Sequence, residues 1–155
     1  MKLFLASEGV PRPDLLKGLL RVTEGKPRVA LISNAQDPYP EILASEREAA
    51  LTAIFASLNF DSVHIDLRKY AGKPGELKEA LSACDLVWCS GGNVFWLRYV
   101  MKESGFDGII KDLLAGGIVY GGWSAGAVVA GPFLNPIELM DDPMTRPKSY
   151  GKDWA

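Results

Sequence analysis
The chain has 155 residues, 48% of them hydrophobic and 23% charged, with a formal net charge of −2. That length suits one well-buried domain and is short for two, and the hydrophobic share excludes an intrinsically disordered chain. The slightly negative balance offers no basic surface, so neither nucleic acid nor a membrane is an expected partner.

Strand and helix patterns alternate along the chain. Residues 2–6 read as a short apolar strand, followed by a helical repeat at Leu15, Leu16, Leu19 and Leu20. The apolar run at the amino terminus spans only four residues, too short for the core of a signal peptide. Val29-Ala30-Leu31-Ile32 is a continuous apolar run that ends in the loop 33–38. A long helix is predicted from about residue 41 to 58, with Leu51, Ile54, Phe55 and Leu58 on one face. A third strand is predicted over 62–67, a short helix over 76–82 and a fourth strand over 85–89. Cys84 and Cys89 flank that strand and are expected as free buried thiols, which makes the cytoplasm the default location. The fourth strand ends abruptly at Ser90-Gly91-Gly92-Asn93. Helical stretches follow near 94–102 and 107–115, then a fifth strand at 118–120 and a helix-capable run at 125–130. Beyond Gly131 the periodicity decays, and residues 132–155 read as an irregular Pro-rich tail. Apolar strands joined by helices of these lengths imply an α/β fold with a doubly wound parallel sheet and helices on both faces.

Gly122-Trp123-Ser124-Ala125-Gly126 carries the most chemical information. It sets a serine between glycines at a strand-to-helix turn, the arrangement that holds a hydroxyl clear of the backbone as a nucleophile. Free N–H groups at the start of the following helix would face a developing oxyanion. The competing reading is a glycine-rich turn after a buried strand. Chemistry in doubly wound sheets gathers at the carboxyl ends of strands, and both 90–93 and Ser124 fall there. An oxyanion hole needs two donors: the Ala125 amide is one candidate, and the unobstructed Gly92 amide is the other. Asn93 is also a natural cap for the helix that follows.

Gly91-Gly92-Asn93-Val94-Phe95 together with Gly122-Trp123-Ser124-Ala125-Gly126-Ala127 closely resembles the peptidase E (aspartyl dipeptidase) family of serine peptidases. The close match covers about residues 87–131, with a looser match back to Met1. The resemblance implies a three-layer α/β/α, flavodoxin-like fold related to class I glutamine amidotransferases. It also implies a Ser124 nucleophile, an oxyanion hole from Gly92 and Ala125, no cofactor, and small peptides, including those with amino-terminal aspartate, as substrates.

The base is where the chain departs from the family. The family's histidine lies downstream of the irregular stretch, in a segment that this chain does not reach before Ala155. The expectation is therefore a chain lacking its carboxyl-terminal portion, inactive alone, and prone to aggregate or to form homo-oligomers through an uncovered edge. The sole histidine, His64, sits on an earlier strand and reads as a structural or surface residue. The resemblance places an acid of the triad at Asp141 or Asp142, with Asp141 the better match by its distance to Pro143; a solvated turn is the competing reading. Trp123 reads as packing, Arg98 and Arg146 as surface charges, and Cys89 as wrongly placed for a thiol nucleophile. No residue spacing suggests a metal or a nucleotide site. A non-catalytic binding or scaffold domain is the alternative function. A glutamine amidotransferase would carry cysteine at the elbow.

Overall fold
A computed structural model describes residues 1–20, 22 and 24–147, and in it five short strands run parallel in one sheet. They are β1 (Lys2–Ala6), β2 (Arg28–Ile32), β3 (Asp61–His64), β4 (Leu86–Cys89) and β5 (Val119–Trp123), in the spatial order β1-β5-β4-β2-β3. The helices are α1 (Pro13–Leu19), α2 (Glu41–Ser57), α3 (Pro74–Ser82), α4 (Val94–Glu103), α5 (Phe106–Gly116) and the short α6 (Ala125–Val128).

Alternation along each strand sends side chains to opposite faces, which separates two cores. On one face Val29, Leu31, Leu86, Trp88 and Val119 pack with Leu16 of α1 and with Leu51 and Phe55 of α2. On the other, Ala30, Ile32, Val87, Cys89 and Tyr120 pack against α3, α4 and α5 through Leu77, Leu81, Leu97, Val100, Ile109 and Leu113. The result is a three-layer α/β/α sandwich. The path from β1 through β2 to β3 runs one way with its helices on one face. The return from β3 through β4 to β5 runs the other way with helices on the opposite face, as right-handed crossovers require. Direction reverses between β2 and β4, so the loops after those two strands diverge and leave a crevice at the carboxyl edge.

Three elements differ from the sequence pattern. β3 stops at His64 instead of running to Leu67. Ile65 and Leu67 are buried, but Asp66 turns the chain, its carboxylate accepting from the Arg68 amide at the start of a 3-10 turn over Leu67–Tyr70. β5 continues through Gly121 and Gly122 to Trp123, because it is paired on both sides, with β1 and with β4. α6 ends at Val128, short of the expected 130. Residues 132–147 are irregular apart from a 3-10 turn at Ile137–Leu139, and 148–155 of the expected tail lie outside the described residues.

Burial is uneven at the β1 edge. Phe4 packs on Trp88 with ring centroids 6.0 Å apart, whereas Leu3 and Leu5 on the opposite face are exposed. Among the described residues no helix is long and apolar enough to cross a membrane.

Trp88 is fully buried and stands edge-on to Phe55 and Trp123, with centroids 5.1 and 5.9 Å away. The ring has room only because Gly121 has no side chain: a Cβ there would lie 2.5 Å from it. Gly121→Ala is expected to lower stability by about 1–3 kcal/mol. Chemical denaturation measures this, and an unchanged midpoint would contradict the packing account.

Candidate active site
Crowding at the end of β4 shapes the turn that follows β5. Ser124 adopts φ 48° and ψ −117°, a conformation that side chains other than glycine rarely occupy. The flanking glycines make it possible. A Cβ at Gly122 would sit 2.8 Å from the Cys89 carbonyl oxygen, and one at Gly126 would sit 2.1 Å from the same oxygen. The turn is held from three sides. The Ser124 amide donates to the Ala6 carbonyl at 3.1 Å, the Ala127 and Val128 amides both donate to the Ser124 carbonyl at 2.9 Å, and the Tyr120 hydroxyl donates to the Gly126 carbonyl at 2.6 Å. The Ser124 side chain makes no capping hydrogen bond and is exposed.

The loop after β4 lies against this turn. A Cβ at Gly91 would approach the Ser124 Cβ to 3.1 Å and the Trp123 ring to 2.9 Å. Gly92 has φ 143°, and a Cβ there would collide with the Ala35 carbonyl oxygen at 2.2 Å. Glycine is therefore required twice over at 92, by backbone angle and by space. Among the described residues, the Gly92 and Ala125 amides have no hydrogen-bond acceptor. The structure thus brings Gly91, Gly92, Ser124 and Ala125 together, on the neighbouring strands β4 and β5.

Around them opens a cleft of about 510 Å³ at the carboxyl ends of β1, β2, β4 and β5. Its walls include Ser124, Gly92, Gln36 and Arg47, with Glu8 and Glu48 as the acidic groups. The far wall is the 3-10 turn at Asn34–Gln36, fixed from behind by a polar cluster. The Asn34 amide nitrogen donates to Asp37 and Asp66 at 2.9 and 3.0 Å, and the Trp96 indole donates to Asp37 at 2.8 Å. Burial pushes the Asp37 carboxyl above its ordinary range despite these donors and Arg68 nearby. Burial acts the same way on Asp66, but hydrogen bonds from Arg68 and Asn34 outweigh it and leave that carboxyl below the usual range.

Asp141 lies elsewhere than beside a histidine. Its Oδ2 accepts from the Val94 amide at 2.8 Å, at the first residue of α4, and the Asn93 side chain donates to the Asp142 carbonyl at 3.1 Å. Asn93 Oδ1 in turn accepts from the Trp96 amide at 2.9 Å, so it caps α4 as the sequence suggests. Asp141 does not line the cleft. His64 closes β3 at the sheet edge, its Nε2 2.8 Å from the Thr52 hydroxyl and its Nδ1 3.5 Å from Glu48, and it does not line the cleft either. Arg98 pairs with Asp107 at the surface, and Arg146 is half-buried in the irregular segment. Trp123 both packs on Trp88 and lines the cleft. Sequence reasoning missed Gln36 and Arg47, which no motif marks.

Cys84 and Cys89 are both free and buried. Burial raises both thiols, Cys89 to about 12, so neither forms thiolate near neutral pH. Native protein is expected to leave a disulfide reagent unreacted below about pH 9 and to react at both thiols once unfolded; rapid reaction of the folded chain would contradict the burial. Asp141→Ala removes a helix cap and is expected to cost about 1 kcal/mol. Thermal unfolding reads this, and a loss near zero would mean the contact with Val94 contributes nothing.

Comparison with known proteins identifies the fold and the family. The family model for peptidase family S51 matches residues 3–152. An uncharacterized peptidase of Listeria monocytogenes is 39% identical over 67 residues, 43% of this chain and 33% of that protein. A peptidase E of Actinobacillus pleuropneumoniae is 31% identical over 115 residues, 73% of this chain and 46% of that protein. A crystal structure of a protein assigned to peptidase E in Listeria monocytogenes superposes with a TM-score of 0.73 at 30% identity, covering 92% of this chain and 68% of that one. The matches span 28% to 46% of the length of these curated relatives, 33% and 46% for the two named. The parallel sheet, the paired loops at its carboxyl edge and the match along nearly the whole sequence place this chain in peptidase family S51.

Proposed function
We propose that the protein is a serine peptidase of the aspartyl dipeptidase type, acting on small peptides, with Ser124 as its nucleophile. The observation that carries this reading is the backbone of Ser124, a non-glycine residue held at φ 48° with its side chain exposed beside Gly91. Such a conformation costs about 1–3 kcal/mol and persists where the surroundings enforce it. The Ser124 oxygen attacks the peptide carbonyl carbon, and the carbonyl oxygen takes the negative charge between the Gly92 and Ala125 amides. Collapse of that intermediate breaks the C–N bond, and the amine leaves with the proton taken from serine. The cleft has the size of a small-molecule site, which fits a short peptide. Two free cysteines fit a cytoplasmic location.

In this reading the proton acceptor is an imidazole other than His64, which does not line the cleft and is engaged with Thr52 and with Glu48 at the cleft's wall. Asp141 serves the reaction through the loop it holds at Val94. Residues 1–155 alone are then expected to turn over negligible peptide. That same engagement of His64 favours the second reading, a non-catalytic domain that keeps the fold.

Added imidazole separates the two. A fluorophosphonate is expected to label Ser124, roughly tenfold faster or more with imidazole present, and Ser124→Ala is expected to abolish labelling. Labelling that survives Ser124→Ala, or none at Ser124 with imidazole supplied, would overturn the nucleophile and leave the binding domain.

A further inference from the structure
We infer that Gln36, backed by Arg47, is the positioning residue that sets and strengthens the Gly92 N–H as an oxyanion donor. The inference rests on the serine peptidase reading and concerns a side chain that the reading itself does not use.

The amide of Gln36 bridges two partners. Its Nε2 donates to the Gly91 carbonyl, and its Oε1 accepts from the Arg47 guanidinium at 2.6 Å. Only one orientation of the amide satisfies both, because Arg47 can only donate and a carbonyl can only accept. Gln36 is 7% exposed, so its bond to the Gly91 carbonyl is shielded from competing water. Its backbone is fixed as well: the Gln36 amide donates to the Ser33 carbonyl at 2.8 Å, and the Gln36 carbonyl accepts from the Tyr39 amide at 2.9 Å. Arg47 is held over the Tyr39 ring, 5.0 Å from its centroid. Among the described residues no carboxylate pairs with Arg47, so its charge is directed at the neutral acceptor of Gln36.

The Gly91 carbonyl and the Gly92 N–H belong to one peptide unit. That unit is planar and trans, so the two groups point in opposite directions. Fixing the carbonyl on Gln36 therefore fixes where the Gly92 hydrogen points. Glycine on both sides leaves this peptide free to rotate, and the close approach of Ala35 and Ser124 limits the space without choosing the direction of the dipole; the other donor to the Gly91 carbonyl, the Ser90 hydroxyl, is longer at 3.3 Å. A donor on the carbonyl also polarises the unit and strengthens its N–H, and a guanidinium behind that donor adds to the effect. The neighbouring anchor, the Asn93 amide on the Ala35 carbonyl at 2.8 Å, holds the loop in place but acts on the next peptide.

Gln36→Glu tests this. The introduced carboxylate keeps the length of glutamine and can still accept from Arg47, but it has no proton for the Gly91 carbonyl. In isotope-labelled protein at neutral pH, the Gly92 amide resonance is expected to shift while that of the distant Gly117 stays. Acidification toward pH ~4 protonates the new carboxyl and is expected to return the Gly92 resonance toward its wild-type position. Imidazole-assisted labelling of Ser124 is expected to slow about tenfold or more in this variant. Arg47→Met, a change at an exposed side chain, is expected to shift Gly92 in the same direction by less. It carries the test if Gln36→Glu fails to fold.

An unmoved Gly92 resonance in both variants would overturn the inference whatever the labelling does. A shifted resonance with unchanged labelling would overturn the link to the oxyanion. If wild-type Ser124 is never labelled while Gly92 responds as expected, the nucleophile reading falls and the hold of Gln36 on the peptide stands.

Discussion
The carbonyl oxygen of Cys89 ends β4 at a place where two later stretches of chain must pass within van der Waals contact. Gly122 and Gly126 both press on it, at distances that no Cβ could tolerate. Because neither arm can back away, the residue between them is forced into a sharp turn, and Ser124 takes up the strain. The Ala6 carbonyl, the Tyr120 hydroxyl and the Ala127 and Val128 amides of α6 supply the hydrogen bonds that offset it. Interiors packed to this density do not deform gradually, so the position of the serine side chain is set by the meeting of three strands.

A second set of forces fixes the facing wall. The turn at 34–36 would be a loose loop on composition alone. It is held instead by Asn34, which reaches both Asp37 and Asp66 and accepts from the Leu67 amide at 2.9 Å. Two partly buried carboxylates with opposite displacements share these donors, one dominated by burial and the other by hydrogen bonds. The arrangement joins the loops after β2 and β3 to α4 through the Trp96 indole. The cleft is thus bounded by two rigid edges, one steric and one polar.

Much of this was legible in the residues. Continuous apolar runs located β2 and β4, helical spacing located α2, and glycines at two strand ends located the loops that meet. Other parts were hidden for identifiable reasons. Gly121 and Gly122 weaken strand propensity, yet parallel pairing on both sides carries β5 through them. Ile65 and Leu67 look like strand because they are buried, but Asp66 between them favours a turn. Asp141 reaches an amide 47 positions away, and Gln36 a carbonyl 55 positions away. Neither separation leaves a local pattern, so a candidate acid and an unmarked glutamine found their partners only in three dimensions.

The pairing of β1 ties the beginning of the chain to its chemistry. Among the described residues β1 lies at the rim of the sheet, paired with β5, and its last residue, Ala6, accepts the amide of Ser124. Peeling away the first six residues would leave that amide without its partner and relax the bend it steadies. Local fraying at the amino terminus, which in most domains is harmless, is here a route by which the serine could lose its poise while the rest of the sheet remains intact.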